Sequence, residues 1–380
     1  MKTMQFNDLH RQYLALKEEI DAAMAEAVDQ AHFISGPQVA RLEEELAAYV
    51  GVRHCVTCGN GTDALLLALL AWGVGPGDAV FVPSFTFFAT AEAVSRLGAT
   101  PVFVDVEEDT FNMSSASLEE AIRRVRQEGE LTPRAVIPVD LFGQPADYFN
   151  IGRICQKNEL PILEDGAQGM GGEILGKKAC SFGTVSVTSF FPAKPLGCYG
   201  DGGALFTNDD DAAWLLRSLC VHGKGEYKYD NVRLGTNSRL DTLQAAILLP
   251  KLKALKESEL MLRNRWANRY TQQLKGIVKT PAVPQCFYSS WAQYTIRLES
   301  KEQRDGLQAA LKQDGIPSMV YYPKALHLQT VYQSVPCKAY DLPVSQRLPD
   351  IVLSLPMHPY LTEEEVDTVC AAVARYCHGE

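Results

Sequence analysis

Four short segments of this 380-residue chain carry residue types whose spacing suits chemistry. In Thr188-Ser189-Phe190-Phe191-Pro192-Ala193-Lys194-Pro195-Leu196-Gly197 a lysine stands in an apolar loop bracketed by prolines. Desolvation lowers a lysine's pKa and favours the free amine, the form that makes a Schiff base with a carbonyl. Ser189, in the same segment, offers a hydroxyl to a phosphate. Cys58-Gly59-Asn60-Gly61-Thr62-Asp63 lies between an apolar run and a helical stretch. Glycines allow close backbone approach, and a helix N-terminus presents free N–H groups to an anion. A turn with a helix cap accounts for the same residues. Ile162-Leu163-Glu164-Asp165-Gly166-Ala167-Gln168 puts two carboxylates directly after an apolar strand, which is costly unless they are paired or face a cleft. A buried Asp can hold a ring nitrogen protonated and make a pyridine ring an electron sink; the competing reading is an Asp capping the next turn. Pro83-Ser84-Phe85-Thr86-Phe87-Phe88 sets three aromatics at a strand end, as core or as a stacking face for a flat ring.

The elements that must position these residues are legible from periodicity. Leu9, Tyr13, Leu16, Ile20 and Met24 repeat at helical spacing, as do Val39, Leu42, Leu46 and Tyr49, with Pro37 suited to a first turn. Short apolar runs at Ala79–Pro83, Val102–Val106, Ala135–Leu141 and Pro161–Leu163 then alternate with amphipathic stretches. That alternation predicts βαβ units and a largely parallel sheet covered on both faces, with ligands beyond the carboxyl ends of the strands. Val185–Phe190 and Gly203–Thr207 read as further strands. Pro250 lies in a helical pattern and predicts a kink or break. The last part reads as a smaller α+β unit, with a strand at Gln293–Leu298, a helix at Lys301–Gln313 and a final helix opened by the capping box Thr362/Glu365. The expected division is a large domain over residues 1–250 and a small C-terminal domain over 251–380.

Composition limits the function classes. The chain is 46% hydrophobic and 22% charged, with a net charge of −10, which argues against a nucleic-acid or anionic-membrane partner. The N-terminal residues lack the apolar core of a secretory signal, and no run reaches the length of a membrane span. Ten scattered cysteines fit a reduced, cytoplasmic setting. Cys55 and Cys58 form a CxxC without a second ligand pair, so they read as packing cysteines rather than a zinc site. Asn112-Met113-Ser114 matches a glycosylation acceptor by chance. Gly197, Gly200, Gly202 and Gly203 lack the order of a dinucleotide-binding loop.

Taken in chain order, the phosphate turn, the aromatic, the acidic strand end and the lysine loop resemble the sugar-nucleotide aminotransferases of the DegT/StrS type. These lie within the aspartate-aminotransferase-like superfamily that uses pyridoxal 5′-phosphate (PLP). Ile34-Ser35-Gly36-Pro37, Gly200-Asp201-Gly202-Gly203 and Asn237-Ser238-Arg239-Leu240-Asp241 extend the resemblance, which runs from Phe6 to the C-terminus. It implies an α/β PLP-transferase of fold type I, with a mostly parallel seven-stranded sheet flanked by helices and a smaller α+β domain. It also implies that Lys194 carries the cofactor and shuttles a proton, that Asp165 meets the pyridinium nitrogen, and that Gln168 lies near the phenolic oxygen. Phe87 would stack on the ring, and Gly61, Thr62 and Ser189 would cradle the phosphate. Asn237 would reach the phosphate of a neighbouring subunit, in an obligate homodimer with shared sites.

The segments around Lys194, Asn237 through Leu249, Ala292 through Thr295 and Leu353 through Pro359 are most similar to enzymes that aminate C3 of a UDP-linked 2-acetamido-3-keto-glucuronic acid from glutamate, with ping-pong kinetics. Two departures, Tyr321-Tyr322-Pro323 where many relatives have His-Tyr-Pro and Asp140 where His or Ser is common, keep C4 amination of a 4-keto-6-deoxy sugar as the alternative. Substrate contacts are expected from Arg239, Tyr321, Tyr322 and His327, with Arg239 suited to a carboxylate. A structural salt bridge for Arg239 and a structural role for His327 and His222 are the plainer readings. A sugar dehydratase of the same fold has His in place of the lysine, and a non-catalytic regulatory relative would not need Lys194, Asp165 and Gln168 together.

Overall fold

The computed structural model describes residues 4–227 and 229–379. Two helices come first, α1 (Leu9–Asp29) and α2 (Pro37–Val50). Pro37 opens α2, where its missing N–H costs no hydrogen bond. The alternating middle follows as β1 (His54–Cys58), α3 (Gly61–Ala71), β2 (Asp78–Pro83), α4 (Ala89–Arg96), β3 (Thr100–Val104), α5 (Ser115–Glu128), β4 (Thr132–Val136), α6 (Tyr148–Asn158) and β5 (Leu163–Asp165). A small hairpin, β6 (Glu173–Ile174) and β7 (Lys177–Lys178), precedes β8 (Val185–Ser189), β9 (Gly203–Thr207) and α7 (Asp210–Leu219). The chain continues through α8 (Thr242–Ala254), α9 (Leu260–Leu274), β10 (Phe287–Tyr288), β11 (Tyr294–Arg297), α10 (Lys301–Gln313), β12 (Lys338–Ala339), α11 (Pro343–Ile351), β13 (Val352–Leu355) and α12 (Glu363–His378).

One ladder runs β1-β9-β8-β5 and another β4-β2-β3-β12. Parallel bridges Val136–Ile162 and Val139–Asp165 join β4 to β5, so the two ladders form one continuous surface. The expected seven-stranded sheet is therefore β1-β9-β8-β5-β4-β2-β3, with the two-residue β12 added beyond β3. β9 runs antiparallel to both its neighbours, whereas the pairs β5/β8, β2/β3 and β2/β4 are parallel. Strand side chains alternate between faces, and each face has its own apolar cover. Val80 and Val82 pack with Leu65, Ala68, Ala91 and Val94 of α3 and α4. Ala79 and Phe81 pack with Leu118, Ile122, Ile151 and Ile154 of α5 and α6. Two-sided burial explains why these strands read as continuous apolar runs.

Past α8 a separate apolar cluster gathers Trp266, Tyr270, Tyr294, Ile296, Leu307, Leu353 and Val366. β11 pairs antiparallel with β13, and Thr362 and Glu365 form both halves of the capping box on α12. Helix α8 continues through Pro250, so of the expected kink or break the break does not occur. The residue is buried where α8 packs against α1 and α2, and that packing outweighs one lost backbone bond. The irregularity appears later, as a π turn over Leu255–Glu259 that leads directly into α9. The chain thus crosses the expected boundary near residue 250 inside a helix.

Cys55 and Cys58 are buried on β1, and burial pushes both thiols up. Asn112 is buried, and its amide donates to the carbonyls of Gln144 and Pro145 at 2.9 and 3.0 Å, so the glycosylation match is sealed in the interior. Among the described residues no cluster of potential metal ligands occurs, and no helix is long and apolar enough to cross a membrane.

Candidate active site

The carboxyl ends of β2, β5 and β8, the turn after β1 and the loop after β8 bring the four segments together. Asp165 ends β5 and is 4% exposed. Its Oδ2 accepts from Thr90 Oγ1 at 2.8 Å and its Oδ1 from the Ala167 N–H at 3.2 Å. It has no ion pair among the described residues, and burial raises its carboxyl above the usual range, with Thr90, Ala167 and the charge of Lys194 opposing the rise. A buried carboxylate short of a cation fits a pyridinium nitrogen. Glu164, one residue earlier, faces the other way and accepts from Phe182 N, Gly183 N and Ser186 Oγ at 2.6, 3.1 and 2.7 Å, and also from Cys180 N. The two adjacent carboxylates thus divide, one toward the cleft and one into the scaffold.

Lys194 is partly buried in the loop after β8. Burial lowers its ammonium below the ordinary lysine range, while the carboxylate of Asp165 works against the shift. Each of the two groups acts on the other's charge, as the lysine-and-carboxylate reading requires. The loop is fixed by its backbone: Lys194 N donates to Phe191 O at 2.9 Å and Cys198 N to Phe190 O at 2.8 Å. Asn7 Nδ2 donates to Ala193 O at 3.1 Å, and the buried Lys251 donates to Gly197 O from behind.

At the start of α3 the side chain of Asn60 accepts from Asp63 N at 2.7 Å and its carbonyl from Ala64 N at 3.1 Å. Among the described residues the N–H groups of Gly61 and Thr62 have no acceptor, as helix geometry leaves them. Ser189 closes the cradle from β8: a Cβ on Gly61 would lie 2.8 Å from the Ser189 Cβ. Only glycine allows that approach. Gln168, 4% exposed, accepts from Phe142 N at 2.7 Å and donates to the Tyr322 hydroxyl at 3.0 Å. Burial raises the Tyr322 phenol above the usual tyrosine range.

The three aromatics after β2 separate by role. Phe85 is buried against Phe111, Phe142 and Tyr322, and Phe88 packs against the core, whereas Phe87 is 55% exposed with its ring 6.3 Å from that of Tyr322. Tyr321 meets Phe6 edge-on at 6.0 Å. His327 hydrogen-bonds Ser84 Oγ at 2.6 Å, approaches Gln346 at 3.3 Å and lies 6.2 Å from the Phe103 ring, and burial lowers its pKa. Those partners anchor the end of β2 to α11. Arg239 is partly buried and has no ion pair or hydrogen bond among the described residues, so the salt-bridge reading finds no partner. Asn237 is exposed beside buried Ser238, whose hydroxyl donates to Asp63 at 2.6 Å and accepts from Gly59 N at 2.9 Å. His222 is exposed.

Thr90 was not singled out by the sequence, although it lies in the segment following the aromatics. A buried threonine in an otherwise apolar helix start was the available signal. We expect Thr90→Val to keep the fold and to weaken cofactor binding by about 10- to 100-fold, because a hydrogen bond to a charged group contributes about 1.5–3 kcal/mol. Titration of apoprotein with PLP, followed by absorbance, checks this; unchanged affinity would show that Asp165 does not need Thr90.

The DegT/DnrJ/EryC1/StrS aminotransferase family model matches residues 14–374. The chain belongs to that family. It is 45% identical over 373 residues to the UDP-2-acetamido-2-deoxy-3-oxo-D-glucuronate aminotransferase of Pseudomonas aeruginosa, covering 97% of this chain and 99% of the relative. A DegT/DnrJ/EryC1/StrS aminotransferase from Brucella abortus superposes with a TM-score of 0.96 at 52% identity, over 99% of this chain and 100% of that one. NtdA from Bacillus subtilis, solved with bound cofactor PMP, superposes with a TM-score of 0.89 at 30% identity, over 100% of this chain and 86% of that one. As a DegT/DnrJ/EryC1/StrS aminotransferase the protein uses pyridoxal 5′-phosphate, and Lys194, Asp165 and the Gly61–Ser189 cradle fit that cofactor.

Proposed function

We propose that this aminotransferase moves an amino group from glutamate to C3 of a UDP-linked 2-acetamido-3-keto-uronic acid, for surface polysaccharide or glycoconjugate synthesis in the cytoplasm. The observation that carries the reading is Arg239, unpaired among the described residues and next in sequence to Ser238, whose hydroxyl bonds Gly59 and Asp63 at the phosphate turn, in a chain with full-length similarity to a relative named for such a sugar acid. A guanidinium grips a carboxylate through two parallel hydrogen bonds.

The cofactor, when bound, supplies an electron sink that makes the transferred proton acidic. Gly61, Thr62 and Ser189 would hold its phosphate at the positive end of α3. Asp165, kept in place by Thr90 and Ala167, keeps the ring nitrogen protonated. Phe87 would stack on the ring, and Gln168, hydrogen-bonded to Tyr322, would meet its phenolic oxygen. Lys194, whose ammonium burial pushes below the ordinary lysine range, would take the substrate proton and return it. Tyr321, Tyr322, His327 and Arg239 line the substrate side, with Arg239 on the uronate.

We also propose a homodimer. Ser238 is turned into its own subunit while Asn237 is exposed, and the same arm exposes Leu234 (90%) and Tyr227 (73%). An apolar arm of this kind suits a second copy, whose phosphate Asn237 would reach. The same reading keeps residues 1–250 as the cofactor domain and 251–380 as the small domain.

Turnover of the UDP-linked 3-keto-uronic acid with glutamate, measured for wild type and Arg239→Lys, tests the assignment. The expected result is a raised KM for the sugar acid in the variant with kcat nearly kept. Preference of the wild type for a 4-keto-6-deoxy sugar, or an unchanged KM in the variant, would overturn it.

A further inference from the structure

Behind the cofactor turn lies a second carboxyl pair. Asp140 follows β4 and is completely buried, as is Glu164 on β5. The four donors on Glu164 fall unevenly, with Phe182 N, Gly183 N and Ser186 Oγ on Oε2 and Cys180 N on Oε1. Asp140 Oδ1 accepts from Ala146 N at 3.0 Å and from the Tyr148 hydroxyl at 2.8 Å. Asp140 Oδ2 is buried and receives no donor. It points into the turn after β5: a Cβ on Gly169 would lie 2.3 Å from it, and one on Gly166 would lie 3.7 Å away. The backbone ties the same places together, since Asp140 N donates to Asp165 O at 3.0 Å and Asp165 N to Pro138 O at 2.9 Å.

The Asp140 and Glu164 carboxyl groups lie within hydrogen-bonding reach of each other, and a buried oxygen left without a donor there is costly. One hydrogen on that oxygen removes the cost. We propose that Asp140 is a carboxylic acid with its proton on Oδ2, donated to Glu164, and that this bond pins the turn carrying Asp165 and Gln168. Asp140 is thus a positioning residue, acting through the two cofactor contacts, and this role rests on the PLP reading above. Glu164 is the anionic partner because four donors stabilise its charge, against two on Asp140. The groups facing Asp140 agree: burial and then the charge of Glu164 push its carboxyl well up, and Tyr148 and Cys180 are raised as well, so neither is an anion at neutral pH. Asp165, the remaining acid nearby, adds negative charge when ionised and favours the protonated Asp140.

The proton's address predicts an asymmetry between two isosteric changes. In Asp140→Asn the amide keeps a donor toward Glu164 and an acceptor for Ala146 and Tyr148. In Glu164→Gln an amide group meets backbone N–H donors it cannot accept. The holoenzyme of Asp140→Asn is expected to melt within about two degrees of wild type and to hold PLP within about threefold. Asp140→Ala should lose at least about tenfold in PLP affinity, because the turn is no longer pinned, and Glu164→Gln should melt several degrees lower or fail to fold. Infrared difference spectra of wild type minus Asp140→Asn at neutral pH give a reading that needs neither substrate nor the Glu164 variant. A protonated-carboxyl carbonyl band belonging to Asp140 supports the assignment. Its absence, or loss of melting temperature in Asp140→Asn equal to that in Asp140→Ala, overturns it. Failure of the sugar assay would leave these readings in place, and their failure would leave the sugar assignment in place.

Discussion

Lys194→Ala is expected to lower kcat by about 10³-fold or more while the protein still folds and still binds PLP phosphate-first. A general acid–base group contributes about 10²–10⁴-fold, and the role proposed for Lys194 is covalent besides. The lysine stands in a loop whose shape comes from its backbone bonds to Phe190 and Phe191 and from Asn7 and Lys251, none of which uses the Lys194 ammonium. Removing the amine therefore removes the proposed proton carrier and leaves its support. The variant's melting curve should stay close to wild type, because deleting a partly buried amine relieves the desolvation that lowers its pKa. Steady-state kinetics with glutamate, alongside a thermal melt, separate lost chemistry from lost fold. Near-normal turnover in the variant would contradict the assignment.

Asp165→Asn is expected to cost about 10²- to 10³-fold in kcat, on the scale of removing one preorganised charge contact from an active site. An amide cannot hold a ring nitrogen in its protonated state, so the electron sink weakens. The same change should reveal the stability cost of the site. Asp165 has a folded pKa raised above its unfolded value, so its contribution to stability is present below the unfolded pKa and is lost as pH rises through the folded one. Wild-type apoprotein should accordingly lose stability from about pH 4 upward toward its raised pKa, and the Asn variant should lack that component. Guanidinium unfolding of both apoproteins across this range checks the sign. A wild type that gains stability from this group over the same interval would contradict it.

The fold was legible where periodicity reflects burial. Strands buried on both faces gave uninterrupted apolar runs, and the observed β9 keeps the boundaries expected for it. The helix over Lys301–Gln313 does too, because Ser300 caps it and its buried leucines repeat at helical spacing. Pro250 does not end α8 because propensity is local and the packing that carries the helix through it is not. Of the site, the residues with unusual chemistry in apolar company, Lys194 and Asp165, stood out. Thr90 did not, since a threonine's role depends on which carboxylate it meets across 75 positions. The division of labour between Glu164 and Asp165 was also hidden, because both follow the same strand and only the alternation of faces separates them. Asp140 was noted as a departure in type, but its contact with the turn after β5 depends on β4 and β5 lying side by side.

The most direct measurement is borohydride reduction of the holoenzyme, followed by digestion and mass spectrometry of every lysine peptide. Reduction joins PLP irreversibly to whichever amine holds it. The expected result is the cofactor's mass on the peptide containing Lys194 and loss of the visible absorbance in proportion. Label on Lys251 or any other lysine, or no label on protein that had bound PLP, would contradict it.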